Sequence, residues 1–224
     1  MRNINDNTVS SENQLPRDAS IFYMGSENAP KRLLILGNSI TRHGQNAGIG
    51  WNADWGMAAS DMDHDYVHLL QSDLTAAGKD VLTMVRSASL WERNHAQENH
   101  LDDYRTEHAF AADLILFRIG ENVPKGSDME LFAARLREFL TYVNPKKAPI
   151  VFTSTVWESE PRNAVIRTLA KEWDMPFIDL TEIGRRDDLM AIGLFEHKGV
   201  AMHPGDAGMR YIADAVLPEL IQRL

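Results

Sequence analysis

KRLLILGNSITRHG, residues Lys31 to Gly44, decides how this chain reads. After the basic pair Lys31-Arg32, the run Leu33-Leu34-Ile35-Leu36 is continuously apolar and is then broken by Gly37-Asn38-Ser39. A short apolar run closed by turn residues predicts a strand buried on both faces of a parallel sheet. Gly accepts the backbone angles of a tight turn, and Asn tolerates them better than most residues. Ser39 therefore stands at the carboxyl end of a buried strand, where open α/β sheets form their ligand crevices.

Working outward, segment 41–54 has loop composition, Gly-rich with Trp51 inside it and Trp55 directly after. The pattern predicts a helix over 55–77, with Met57, Val67, Leu70 and Leu74 among its apolar positions, then a strand over 81–85. A polar helical segment over 96–112 precedes a strand over 113–119. Leu131, Phe132, Leu136, Phe139 and Leu140 recur at helical spacing within 128–142. A strand over 149–153, a helix over 162–174 and a short strand over 176–180 follow. The closing helix spans 206–224, with Asp206 as a good N-cap. Strands alternating with helices imply a parallel sheet covered on both faces, a three-layer α/β/α sandwich. Residues 1–28 read as a polar N-terminal extension whose apolar patch is Ile21 to Met24, and 29–224 as one domain.

Composition narrows the function. A chain of 224 residues that is 44% hydrophobic and 25% charged can bury a full core. A formal charge of -9 argues against nucleic acid as a partner, because that binding needs a basic face. With no Cys there is neither a disulfide framework nor thiol chemistry. No apolar run approaches the roughly 18 residues of a membrane span, and MRNINDNTVSSENQ lacks the apolar centre of a secretory signal. The expectation is a cytoplasmic protein without a membrane partner.

Three blocks carry a resemblance. Gly37-Asn38-Ser39-Ile40, Gly120-Glu121-Asn122 after the apolar run Leu114 to Phe117, and His203-Pro204-Gly205-Asp206-Ala207-Gly208 stand in that order. Together they resemble the conserved blocks of the SGNH (GDSL-type) hydrolases. The resemblance implies a flavodoxin-like sheet and a hydrolase-like domain over 29–224. It implies Ser39 as nucleophile, His203 as its base, and an oxyanion hole built from the Ser39 N–H, the Asn122 side chain and one further backbone N–H. That chemistry needs no cofactor or metal. A serine hydroxyl requires a base within hydrogen-bond reach, and His titrates near neutrality as such a base must.

The chain departs from the family twice. The third oxyanion donor normally belongs to a Gly, and Ser87-Ala88-Ser89-Leu90-Trp91-Glu92-Arg93 contains none. By offset the donor falls at Glu92, with Ala88 and Ser89 as alternatives. Val200 occupies the position of the usual Asp, three residues before His203. Either a backbone carbonyl orients the ring in a Ser-His dyad, or Glu196 supplies the third acid.

Two further constellations stand out. Trp51, Asp54, Trp55 and Trp91 could form an aromatic, polar-edged surface for a sugar ring, or serve as packing. His64 and His68 share a helix face at metal-ligand spacing, but no third ligand is marked, and a solvated acidic face is the better reading. The expected function is hydrolysis of small acyl esters, acetyl above all, of a carbohydrate-like alcohol. A carbohydrate-binding module that has lost turnover, and a thioesterase or lipid esterase, are the alternatives.

Overall fold

The computed structural model describes residues 21–224, so the start of the predicted N-terminal extension lies outside the described residues. Its end does not. Ile21–Met24 forms strand β1, which pairs antiparallel with β3 (Val81–Ser87) at the edge of the sheet. The sheet thus takes in four residues that composition alone assigns to the extension.

Five parallel strands make up the remainder: β2 (Lys31–Gly37), β3, β4 (Leu114–Phe117), β5 (Ile150–Thr153) and β6 (Phe177–Ile178). The spatial order is β1-β3-β2-β4-β5-β6. Among the parallel strands, β2 comes first in the chain and lies between β3 and β4. This is the flavodoxin-like order, whose switch point lies at the carboxyl end of its first parallel strand. The apolar run of β2 is completely buried because its alternate side chains face two cores. Leu33 and Ile35 enter the layer containing Val67, Leu70, Ile212 and Val216, while Leu34 and Leu36 enter that containing Phe132, Phe139 and Ile166.

Helix α1 (Tyr66–Ala76) and the last helix, α8 (Asp206–Arg223), cover the first face. Helices α4 (Met129–Val143) and α5 (Glu160–Glu172) cover the second. Between them run the short helices α2 (Ser89–Asn94), α3 (Arg105–Phe110), α6 (Thr181–Gly184) and α7 (Lys198–Ala201). No helix among the described residues is long and apolar enough to cross a membrane.

Three local expectations are corrected. The helix expected over 55–77 begins only at Tyr66. Asp65 caps it by accepting from the His68 N–H, while its other oxygen holds the Gly56 N–H and keeps the preceding segment in a loop. The segment 96–112 is not one helix: a short 3-10 turn over Leu101–Tyr104 leads into α3, and α2 upstream was not predicted at all. Asp206 is not the cap of α8. Gly205 holds that position, and the Asp206 carboxylate instead accepts from the N–H and hydroxyl of Ser60, tying the loop before α1 to the start of α8.

That start is tightly packed. A Cβ at Gly208 would fall 2.2 Å from the Leu189 carbonyl oxygen and 2.8 Å from Pro204 Cβ. Gly to Ala in a helix ordinarily gains about 0.5–1 kcal/mol, but backbone cannot step aside and overpacking costs about 1–3 kcal/mol. The clash should win. Gly208→Ala is expected to lower the melting temperature by roughly 2–8 °C at this chain length, read by thermal denaturation. A variant as stable as the parent would show that the α8 start has room to move.

Candidate active site

β2 ends at Gly37, and the chain turns at once. The N–H groups of Thr41 and Arg42 both donate to the Asn38 carbonyl, and Met57 N–H donates to the Ser39 carbonyl, so Ser39 sits on a pinned turn at the switch point. Its Oγ lies 2.8 Å from Nε2 of His203, 164 positions along the chain. His203 is carried by the turn between α7 and α8. Its N–H donates to the Val200 carbonyl, and its own carbonyl accepts from Ala191 N–H.

The other ring nitrogen, Nδ1, is 2.7 Å from the Gly199 carbonyl oxygen. A carbonyl can only accept, so Nδ1 carries the proton and Nε2 offers its lone pair to the Ser39 hydroxyl. A backbone carbonyl thus fixes the tautomer that a triad carboxylate would otherwise fix. Glu196 is exposed and takes no part in this contact, and Val200 is buried in a small apolar cluster with Trp51, Met57 and Ala191. Burial, opposed by the Gly199 carbonyl, lowers the His203 pKa to about 4. Trp157, which the sequence reading did not single out, packs edge-on against the imidazole with centroids 5.2 Å apart, and its indole N–H donates to the Met202 carbonyl.

Beneath Ser39 lies a polar network without a counterpart in the sequence reading. Asn38 is completely buried; its Oδ1 accepts from Arg118 Nη2 at 2.6 Å, and its Nδ2 donates to Glu121 Oε2 at 2.6 Å and to Glu92 Oε1 at 3.3 Å. Arg118, also fully buried, closes the circuit through an ion pair with Glu121 at 2.8 Å. Glu92 accepts further from Gly120 N–H at 2.6 Å and Asn122 N–H at 3.2 Å through Oε1, and from Asn122 Nδ2 at 2.7 Å through Oε2. Burial and the neighbouring Glu121 carboxylate push the Glu92 pKa up to about 6, against the pull of these N–H donors.

This placement corrects the assignment of Glu92 as an oxyanion donor. Its N–H is spent on the Ala88 carbonyl in the first turn of α2, and Ala88 N–H is spent on the Gly37 carbonyl. Ser89, the remaining alternative, opens α2, and its N–H has no acceptor among the described residues. Gly37 pairs with Ser87 in the β2–β3 register, so the segments carrying Ser39 and Ser89 leave neighbouring strand ends. The Ser39 N–H likewise has no acceptor among the described residues.

The aromatic surface is also corrected. Trp91 is buried in the second core, stacked on Phe139 at 4.5 Å with its indole N–H on Asn99. Trp51 is buried and packs edge-on to Trp55, its N–H on the His43 carbonyl. Trp55 is half-buried with its N–H on the Ala59 carbonyl, and Asp54 pairs with Arg42 at 2.6 Å. These tryptophans are packing, not an open platform. His64 and His68 each pair with their own carboxylate, Asp61 and Asp65, and no group of three metal-ligating side chains occurs among the described residues.

No protein-family model and no curated protein sequence matches the chain. Solved structures do. The protein is similar to TesA (TM-score 0.61, 19% identity, 87% of this chain and 100% of that one). It is similar also to the psychrotrophic esterase EstA of Pseudoalteromonas sp. (0.57, 15%, 86% and 97%) and to the acetyl xylan esterase AlAXEase (0.50, 18%, 85% and 100%). The chain has the fold of the SGNH, GDSL-like hydrolases.

The His203 environment sets a measurable expectation. Free imidazole groups titrate near about 6.5, so the ring should remain neutral to about pH 4, followed through its NMR resonances. The sign follows by linkage. Between these values the unfolded chain binds the extra proton, so this group's contribution to stability declines as pH falls through the window and is fully present above it. A ring titrating above pH 6 would contradict the buried placement.

Proposed function

We propose that the protein is a serine carboxylic ester hydrolase working through a Ser39–His203 dyad. The observation that carries this is the 2.8 Å contact from Ser39 Oγ to a His203 ring whose Nδ1 proton is held by the Gly199 carbonyl. In the reaction, His203 Nε2 takes the Ser39 proton as Oγ attacks the ester carbonyl. The oxyanion is received by the N–H groups of Ser39 and Ser89 and by Asn122 Nδ2. His203 then gives its proton to the departing alcohol, and water releases the acid from the acyl-enzyme by the same steps. One preorganised donor of this kind is worth about 2.7–4 kcal/mol. Gly199 can hold the tautomer but brings no full negative charge to the imidazolium, so the dyad forgoes part of what a carboxylate supplies.

For the substrate, we retain small acyl esters of a carbohydrate as the first reading. Support comes from similarity in fold to proteins described as an acetyl xylan esterase and a family two carbohydrate esterase. The tryptophans no longer add to it. A specific observation favours a second reading, an apolar acyl group. The large exposed apolar side chains among the described residues are Leu90, Ile192, Leu194 and Met202. All stand on the α2 segment or on the approach to His203.

Ser39→Ala is expected to abolish turnover of chromogenic esters and labelling by a fluorophosphonate, with folding unchanged. His203→Ala should be equally severe. Glu196→Gln should cost less than roughly tenfold in kcat, about 1.4 kcal/mol, because that carboxylate is not on the ring; a collapse of kcat would make it the third member. Val200→Asp should destabilise, since it places a charge in an apolar cluster. A panel of esters from acetyl to long acyl, on sugar and simple alcohols, separates the two substrate readings. Failure of the intact protein to label or turn over any of them would favour a binding module.

A further inference from the structure

The Asn122 amide is gripped at both ends. Its Nδ2 donates to Glu92 Oε2 at 2.7 Å, and its Oδ1 accepts from Arg93 Nη2 at 3.2 Å. Glu92 and Arg93 are consecutive on α2, one buried and one exposed, so a single helical turn presents an acceptor and a donor to opposite ends of one amide. An Asn side chain can otherwise turn over and exchange its oxygen for its nitrogen, which would replace a donor by an acceptor. Here the flipped amide would set oxygen against carboxylate and NH₂ against guanidinium. Glu92 also holds the backbone on which Asn122 stands, through the N–H groups of Gly120 and Asn122. That backbone is unusual: Gly120 has φ 139°, a conformation side-chain-bearing residues rarely adopt.

We propose that Glu92 and Arg93 are positioning residues that lock the Asn122 amide with its NH₂ group facing the reacting carbonyl. This rests on the reading of Asn122 as an oxyanion donor. It explains a buried carboxylate whose contacts are all N–H donors, an expensive group to keep away from water if packing were its sole use. It also supplies what the missing Gly leaves open. The segment that carries a small residue in the resembling family instead carries a side chain that braces a neighbouring donor. Any gain appears when charge develops on the substrate oxygen, so it should register in kcat rather than in ground-state binding.

Glu92→Gln is the sharpest probe because it keeps the shape and changes only the acceptors. The new amide has one NH₂ group, and either orientation points that group at an N–H donor. Facing Asn122 Nδ2, it favours the flipped amide; facing Gly120, it loosens the backbone. The variant is expected to lose roughly a hundredfold in kcat, with KM within about threefold of the parent. Arg93→Met, on the exposed side, should lose roughly three- to tenfold in kcat. Neither change should matter once the amide is gone: in an Asn122→Ala background, Glu92→Gln should cost less than about threefold more. A purely structural Glu92 would cost the same in both backgrounds, and that result overturns the proposal, as does a folded Glu92→Gln protein with parental kcat. If Glu92→Gln does not fold, Arg93→Met decides, and unchanged kcat there overturns it. Asn122→Ala at parental kcat would be a different failure, removing the oxyanion assignment beneath the proposal while the Ser39 labelling test still stands.

Discussion

The burial of Arg118 between Asn38 and Glu121 is the constraint from which the site follows. A guanidinium taken fully out of water must have its charge matched and its N–H groups occupied, or the fold is penalised by several kcal/mol. Glu121 matches the charge and Asn38 takes a second bond. Asn38, in turn, precedes Ser39 and cannot shift without breaking contacts to Arg118, Glu121 and Glu92 together. Ser39 is therefore held by a network anchored at the ends of β2 and β4, not by its own turn alone. Glu121 extends the anchor to the end of β5 by accepting from Val156 N–H.

Two buried carboxylates beside one guanidinium leave this layer with an excess of negative charge. The N–H groups that converge on Glu92 offset it with partial charge, and their directions are fixed by the same strand ends. Apart from Arg118 Nε, which is buried without a hydrogen-bond partner among the described residues, the layer is bonded throughout, and moving any member leaves another buried group unpaired. Above it, His203 is held by backbone on both sides and by Trp157 on its flank. Ser39 and His203 thus stand on separate supports, one at the carboxyl end of β2 and one on the α7–α8 turn. The Asp206–Ser60 contacts join those supports at the surface.

The departures from the resembling family become intelligible in these terms. Val200 stands where an acid is usual, but α7 brings the Gly199 carbonyl to the ring instead, and the apolar cluster around Trp51 fills the space a carboxylate would need. The absent Gly on α2 is a change of side chain at a position whose N–H is what the chemistry uses. A backbone donor survives such a change, provided it is the N–H that opens the helix and not one already spent inside it. In the proposed reaction that distinction sets Glu92 aside in favour of Ser89.

Much of the fold was legible because it rests on local pattern. Continuous apolar runs bounded by turn residues marked β2, β4 and β5, and helical spacing marked α4, since burial on two faces or one leaves a pattern in the chain. The meeting of Ser39 with His203 was legible because the turns that hold them are short and their blocks stand in order. Tertiary structure alone decided the rest. A Trp in sequence is the same whether it faces a sugar or a core, and only the position of Phe139 and Asn99 placed Trp91 inside. The pairing of β1 depends on an edge that β3 leaves open, and its four residues carry no sign of it. The sequence pointed to Glu92 only for its backbone N–H; the partners of its carboxylate, Asn38, Gly120 and Asn122, come from strand ends away from it in the chain. Hydrogen bonds between distant residues are set by topology, and the identity of a residue does not record which strand end it will meet.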